Sequence, residues 1–170
     1  MYGQQDQQPG PDSPQQYQRV LESAARRQLE SRQSVLLGIV GGLLGAAIGA
    51  VLWAVVTVVT EFQIGFMAIG VGFLAGKGAW IGGRGLKPTY GLIGGVMAML
   101  GCAAGNLLSA CAFIAQLPEA ELTFFQILGN LDFELINIIM RETFHPLDVL
   151  FGLIAISTGW KYSYRELVKG

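Results

Sequence analysis

The sequence predicts an all-α integral membrane protein: a four-helix bundle in which every helix spans the bilayer and a two-helix unit is duplicated. Three observations lead there. Of 170 residues, 52% are hydrophobic and only 14% charged, well under the quarter usual in soluble domains. From Val35 onward the apolar residues gather into runs close to the length that crosses a bilayer. Drawing four spans then puts ten of the eleven Lys and Arg residues on one side, as the positive-inside rule requires of cytoplasmic segments.

The first 34 residues are polar. Residues 1–16 are rich in Gln and Pro, with too little apolar surface to bury, so disorder is expected. Residues 17–33 suit a basic juxtamembrane helix with Tyr17, Leu21, Ala25 and Leu29 on one face, its arginines favouring anionic headgroups. The first apolar run begins late and is longer than the 7–15 residues of a signal-peptide core, so it reads as a retained span. A string Leu108-Ser109-Ala110-Cys111 matches the lipoprotein cleavage pattern, but it lies inside the third run and reads as chance.

About 30 Å of hydrocarbon needs roughly 20 apolar residues as a helix. Residues 35–59 satisfy this without a charge, and 90–115 do so with Asn106 as the one strongly polar member. The second span, 64–83, contains Lys77, whose long side chain can snorkel to the interface. The fourth, 147–163, is short and calls for little tilt or a thinned bilayer. Arg19, Arg26, Arg27 and Arg32 precede span one; Lys77, Arg84 and Lys87 lie between spans two and three; Lys161, Arg165 and Lys169 follow or close span four. Only Arg141 falls on the other side. Omitting span two or span four destroys this segregation, so both ends of the chain are expected in the cytoplasm, with 166–170 a short cytoplasmic tail.

The string GIVGGL at 38–43 resembles GLIGGV at 91–96, and GFMAIGVGF at 65–73 resembles GLIAISTGW at 152–160. Each two-helix unit crosses the membrane an even number of times, so the copies are parallel repeats. The second carries an insertion, 116–146, between its helices. In this register Glu61 aligns with Asp148, each at the outer mouth of its unit's second span.

Glycines recur every four residues: Gly41, Gly45 and Gly49; Gly72 and Gly76; Gly91 and Gly95; Gly101 and Gly105. That spacing lines one helix face with missing side chains, the pattern that lets backbones approach in lipid. The stripes are expected to pack the helices of one chain; the alternative is that one also faces a second protomer or partner. Two enzyme-like strings fail on context. Residues 70–75 (GVGFLA) mimic a dinucleotide fingerprint without a preceding strand or the acidic residue about 20 positions on, and Gly76-Lys77-Gly78 lacks the Ser or Thr of a phosphate loop.

The insertion holds two apolar groups, one around Phe124, Phe125, Ile127 and Leu128, the other from Leu131 to Met140, separated by Gly129-Asn130. Two short amphipathic helices on the outer leaflet, or roofing the bundle, are expected, with Pro146 opening the fourth span. Glu142, His145 and Asp148 follow at intervals of three, and Glu61 joins them if the mouths meet. An i, i+3 Glu/His pair occurs in metal-carrying bundles, but here it stands alone and Pro146 interrupts it. A solvated outer polar cluster is expected, with no metal, no cofactor and no catalytic residues. Cys102 and Cys111, nine residues apart, sit on nearly opposite helix faces and are not expected to pair.

The run EFQIGFMAIGVGF at 61–73, followed by TFHPLDVLFG at 143–152, resembles a family of small uncharacterised bacterial inner-membrane proteins with four spans. The resemblance covers most of the membrane portion and not the Gln-rich tail. It implies a bacterial inner membrane and this topology, and brings no activity or site residues.

A net charge of −1 gives no basic face for nucleic acid. One histidine and no nucleophile–base pair argue against an enzyme. The expected function is a non-enzymatic interaction or assembly component in the lipid bilayer, working as a homo-oligomer or with another membrane protein. The alternative is a small oligomeric channel or transporter with Glu61 and Asp148 at its outer mouth and Thr57, Thr60, Asn106 and Ser109 as thin lining.

Overall fold

The computed structural model describes residues 14–62, 65–118, 122–143 and 146–164, apart from the side chain of Arg26. Every regular element among them is helical. The chain divides into two compact units, one ending at Gln33 and one beginning at Ser34.

The first unit is helix α1, Pro14–Glu30. It begins inside the stretch expected to be disordered, because proline at a helix start loses no hydrogen bond and has its φ already set. Tyr17, Leu21 and Leu29 remain exposed along it.

The second unit opens with α2, Val35–Thr60, capped where the Ser34 hydroxyl accepts the Leu37 N–H at 3.3 Å. Helix α3, Phe66–Gly83, ends at Arg84, which sits in the left-handed region at φ 52° and donates its N–H to the Trp80 carbonyl. Helix α4, Pro88–Ala115, starts two residues before the expected span because Pro88 serves as its first residue. Helices α5, Phe124–Gly129, and α6, Phe133–Thr143, occupy the insertion. Gln126 Oε1 accepts from the Thr123 N–H at 2.8 Å at the start of α5, and Asp132 accepts from the Leu135 N–H at 2.7 Å at the start of α6. Helix α7, Pro146–Tyr162, completes the unit.

Helices α2, α3 and α4 are long and apolar enough to cross a membrane. The interior they share with α7 is built from small residues: Ala46, Ala68, Ala75, Ala98 and Ala155 pack around Trp53 and Val71. Large apolar side chains such as Leu36, Leu44, Ile48 and Leu92 point outward. That reverses the soluble arrangement and suits lipid, where close backbone packing rather than water exclusion holds helices together.

The glycine contacts give the topology. Gly41 lies against Gly78, Gly45 against Leu74 and Gly49 against Val71, so α2 and α3 are antiparallel. Gly38 against Tyr90, Gly42 against Met97 and Gly105 against Trp53 make α2 and α4 parallel. Gly72 against Ala155 and Gly76 against Gly159 make α3 and α7 parallel, while Gly91 and Gly95 meet Trp160 and Ile156 of the antiparallel α4–α7 pair. Gly101 fits against Val71 and Ala46 at the centre. Helices α5 and α6 pack on α4 through Ile127 and Ile139, which join Ala110 and Cys111 in a second apolar cluster.

Charge divides the two ends of this unit. Lys77, Arg84, Lys87 and Lys161 lie toward the end formed by the α2 and α4 N-termini. Glu61, Asp132, Glu134, Glu142 and Asp148 lie at the other, with Arg141 among them. The Lys77 ammonium rests 4.6 Å from the centre of the Trp80 ring, one turn nearer the basic end.

Candidate functional site

At the acidic end the helix termini converge on two adjoining clefts. The wider, about 280 Å³, is lined by Thr57, Glu61, Asn106, Ser109, Glu142 and Thr143. The second, about 120 Å³, is lined by Trp53, Cys102, Asn106, Asp148 and Phe151, with Met140 above. Asn106 belongs to both walls.

Local structure explains how each side chain arrives. Glu61 ends α2 in the left-handed region, φ 56°, a conformation favoured by glycine. The Thr60 hydroxyl holds this turn, donating to the Val56 carbonyl at 2.7 Å and accepting the Phe62 N–H at 3.3 Å. Glu142 stands in the last turn of α6, and Asp148 in the first turn of α7, where the helix dipole favours a negative charge. Trp53 enters the core because Gly105 faces it: a Cβ there would lie 2.9 Å from the indole ring.

Of the expected outer cluster, Glu61 and Glu142 share the wider cleft and Asp148 lines the neighbouring one. His145 lies outside the described residues. Among those described, no three potential ligand side chains gather closely enough to hold a metal ion. Cys102 and Cys111 are unpaired thiols, the first half-buried in the narrower cleft and the second fully buried behind α5 and α6.

The glycines take a different place. Gly41, Gly45, Gly49, Gly72, Gly76, Gly91, Gly95, Gly101 and Gly105 each meet a neighbouring helix of the same chain. Gly70 and Gly152, by contrast, have open space beside them.

Trp53 acquires an importance that its residue type alone did not announce, and Thr57, expected only as thin lining of a channel, acquires one too. Trp53 is 2% exposed and Thr57 6% exposed, and among the described residues neither the indole Nε1 nor the Thr57 hydroxyl has a hydrogen-bond partner. The hydroxyls of Thr60, Thr143 and Thr158 each bond the carbonyl four residues back, and Ser109 bonds the Gly105 carbonyl at 2.8 Å. Thr57 makes no such bond. An available signal was the continuation of the α2 glycine stripe at the same spacing of four: Gly41, Gly45, Gly49, Trp53, Thr57, Glu61. One helix face passes from backbone contact to polar lining.

On the opposite side of the α2–α4 seam lies a wholly apolar groove of about 470 Å³, lined by Val51, Val55, Val58, Leu108, Phe124 and Leu128. It offers hydrocarbon alone, matching the lipid chains around such a surface. No protein-family model, curated protein or solved structure matches the chain.

Proposed function

We propose that this chain is a four-span protein of the bacterial inner membrane, both ends cytoplasmic, working without catalysis as an interaction or assembly component. Helix α7, 17 residues and thus about 25 Å long at 1.5 Å per residue, is taken as the fourth span. Its packing along both α3 and α4 supports that reading, as does the separation of Lys161 from Asp148 at its two ends. The duplication draws support from the parallel pairs. Gly38 lies against Tyr90, next to its aligned partner Gly91; Gly65 lies against Phe151, next to its aligned partner Gly152. Two hairpins stacked side by side, like successive units of a solenoid, have this relation.

The functional reading is carried by the outward face of α5 and α6. While Ile127 and Ile139 are buried beneath, Phe125 is 80% and Phe133 81% exposed, and Ile138 stands out as well. Apolar groups on both faces of a short roof suit a partner, either a second copy or another membrane protein. The glycine faces are already taken up within the chain, so the roof is the assigned contact.

Extraction of the tagged protein in native lipid discs tests this. A stoichiometric companion or homo-oligomer is expected, and Phe125→Ser with Phe133→Ser should release it. A lone monomer from native membrane overturns the proposal. The alternative, an oligomeric channel or transporter, draws on the outward clefts. Inside the chain, however, Gly45 on Leu74 and Gly101 on Ala46 bring backbones together beneath those clefts. Solute flux that Glu61→Gln with Asp148→Asn abolishes would favour the alternative.

A further inference from the structure

We propose that the two adjoining clefts form one binding site for a small organic ammonium compound bearing an oxygen acceptor, of the amino-alcohol class. Among the described residues, the charged groups on their walls are Glu61, Glu142 and Asp148, all carboxylates. The site therefore selects positive charge. Aromatic rings complete it: Trp53 and Phe151 line the narrower cleft and Phe113 the wider. Carboxylates beside aromatic faces recognise organic ammonium groups, whose charge is spread over weakly hydrated carbon.

The unpartnered donors supply the second half of the argument. A buried N–H or O–H without a partner is costly, and native structures satisfy such groups with water or ligand. Trp53 Nε1 is a donor only, so what it requires is an acceptor and not a cation. Thr57, one turn further along α2, brings a second unpartnered hydroxyl to the wall of the wider cleft. A bare metal ion gives the indole nothing, whereas an amino alcohol presents an ammonium to the carboxylates and an oxygen to the donors. At about 280 and 120 Å³ the clefts exceed the roughly 30 Å³ share of one liquid water and accommodate a molecule of this size. The same chemistry occurs in a free amino alcohol and in an ethanolamine phospholipid headgroup. The site takes Met140, Glu142 and Thr143 from α6 but none of Phe125, Phe133 and Ile138, which form the proposed partner surface.

Cys102 in the narrower cleft is a native reporter, and Cys111 is removed as Cys111→Ser. In phosphatidylglycerol discs, Cys102 is labelled with trimethylammonium-ethyl methanethiosulfonate and separately with the sulfonatoethyl reagent, each rate divided by that reagent's rate with a free small thiol. The cationic probe should react about tenfold faster, since clefts lined by one sign of charge concentrate the opposite ion by 10-fold or more. Glu61→Gln, Glu142→Gln and Asp148→Asn together should collapse the ratio, since Asp148 is the carboxylate that shares the narrower cleft with Cys102. A Thr143→Cys variant lacking both native cysteines samples the wider cleft separately and should show the same preference. Added ethanolamine should slow labelling if the ligand is a free solute; phosphatidylethanolamine in the disc should slow it alone if the ligand is a headgroup. Equal normalised rates at both positions, no labelling at either, or no protection from either source overturns the proposal.

Discussion

A methyl group added at Gly45 would collide with the Leu74 carbonyl, and one at Gly41 with the carbonyl of Gly78. Backbone atoms cannot swing aside as a long side chain can, so the helices themselves must separate. Gly70 lies on the same α3 with nothing within 4 Å of the added atom. The two positions make a matched pair. Gly45→Ala should destabilise the protein by about 1–3 kcal/mol, the cost of overpacking a filled interior. Gly70→Ala should be neutral or stabilise by roughly 0.5–1 kcal/mol, because alanine has less backbone freedom to lose in a helix. Thermal unfolding in detergent measures both, and equal effects would show that the α2–α3 backbone contact does not matter. The spacing of four in the sequence marked Gly45 and left Gly70 outside the stripes; the neighbouring helix supplies the carbonyl that makes the difference.

At the scale of the element, α6 shows how one short amphipathic segment divides its contacts. Ile139 is buried with Ile127 against Ala110 and Cys111, while Phe133 and Ile138 face outward. Alternating polar residues made an amphipathic helix legible. Which apolar residues faced α4 was not, since both faces carry them. Ile139→Ala should cost the α6 attachment about 2–4 kcal/mol, in the range for large-to-alanine changes at buried sites. Hydrogen exchange should then accelerate over 133–143 and leave the middle of α2 and α4 unchanged, because local opening need not spread. Acceleration across the whole bundle would instead make α6 integral to its fold.

For the whole molecule, the gathering of Lys77, Arg84, Lys87 and Lys161 at one end is expected to set the orientation, with that end cytoplasmic. A phosphatase fused after Asn130 should be active, and fusions after Gly85 and Gly170 inactive, with a fluorescent reporter giving the opposite pattern. Phosphatase activity at Gly170 would mean that α7 does not cross. Neutralising Lys77, Arg84 and Lys87 together should produce mixed orientations, since basic residues flanking short loops set topology. The clefts belong to this scale too. Thr57 and Asn106 are far apart in sequence on different helices, and they share a wall because α2 and α4 run parallel.

The helical class, three helices long and apolar enough to cross a membrane, and the positions of the helix starts follow from local chemistry: uninterrupted apolar length, Pro88 and Pro146 at first-turn positions, and Ser34 at a cap. Such features act over one segment and leave their mark in one segment of sequence. Helix pairing, the approach of Gly101 to Val71 and the burial of Trp53 against Gly105 were decided by tertiary structure. So were the two unpartnered donors beneath the carboxylates. Whether a buried polar atom is satisfied depends on every helix that surrounds it, and no single segment carries that information.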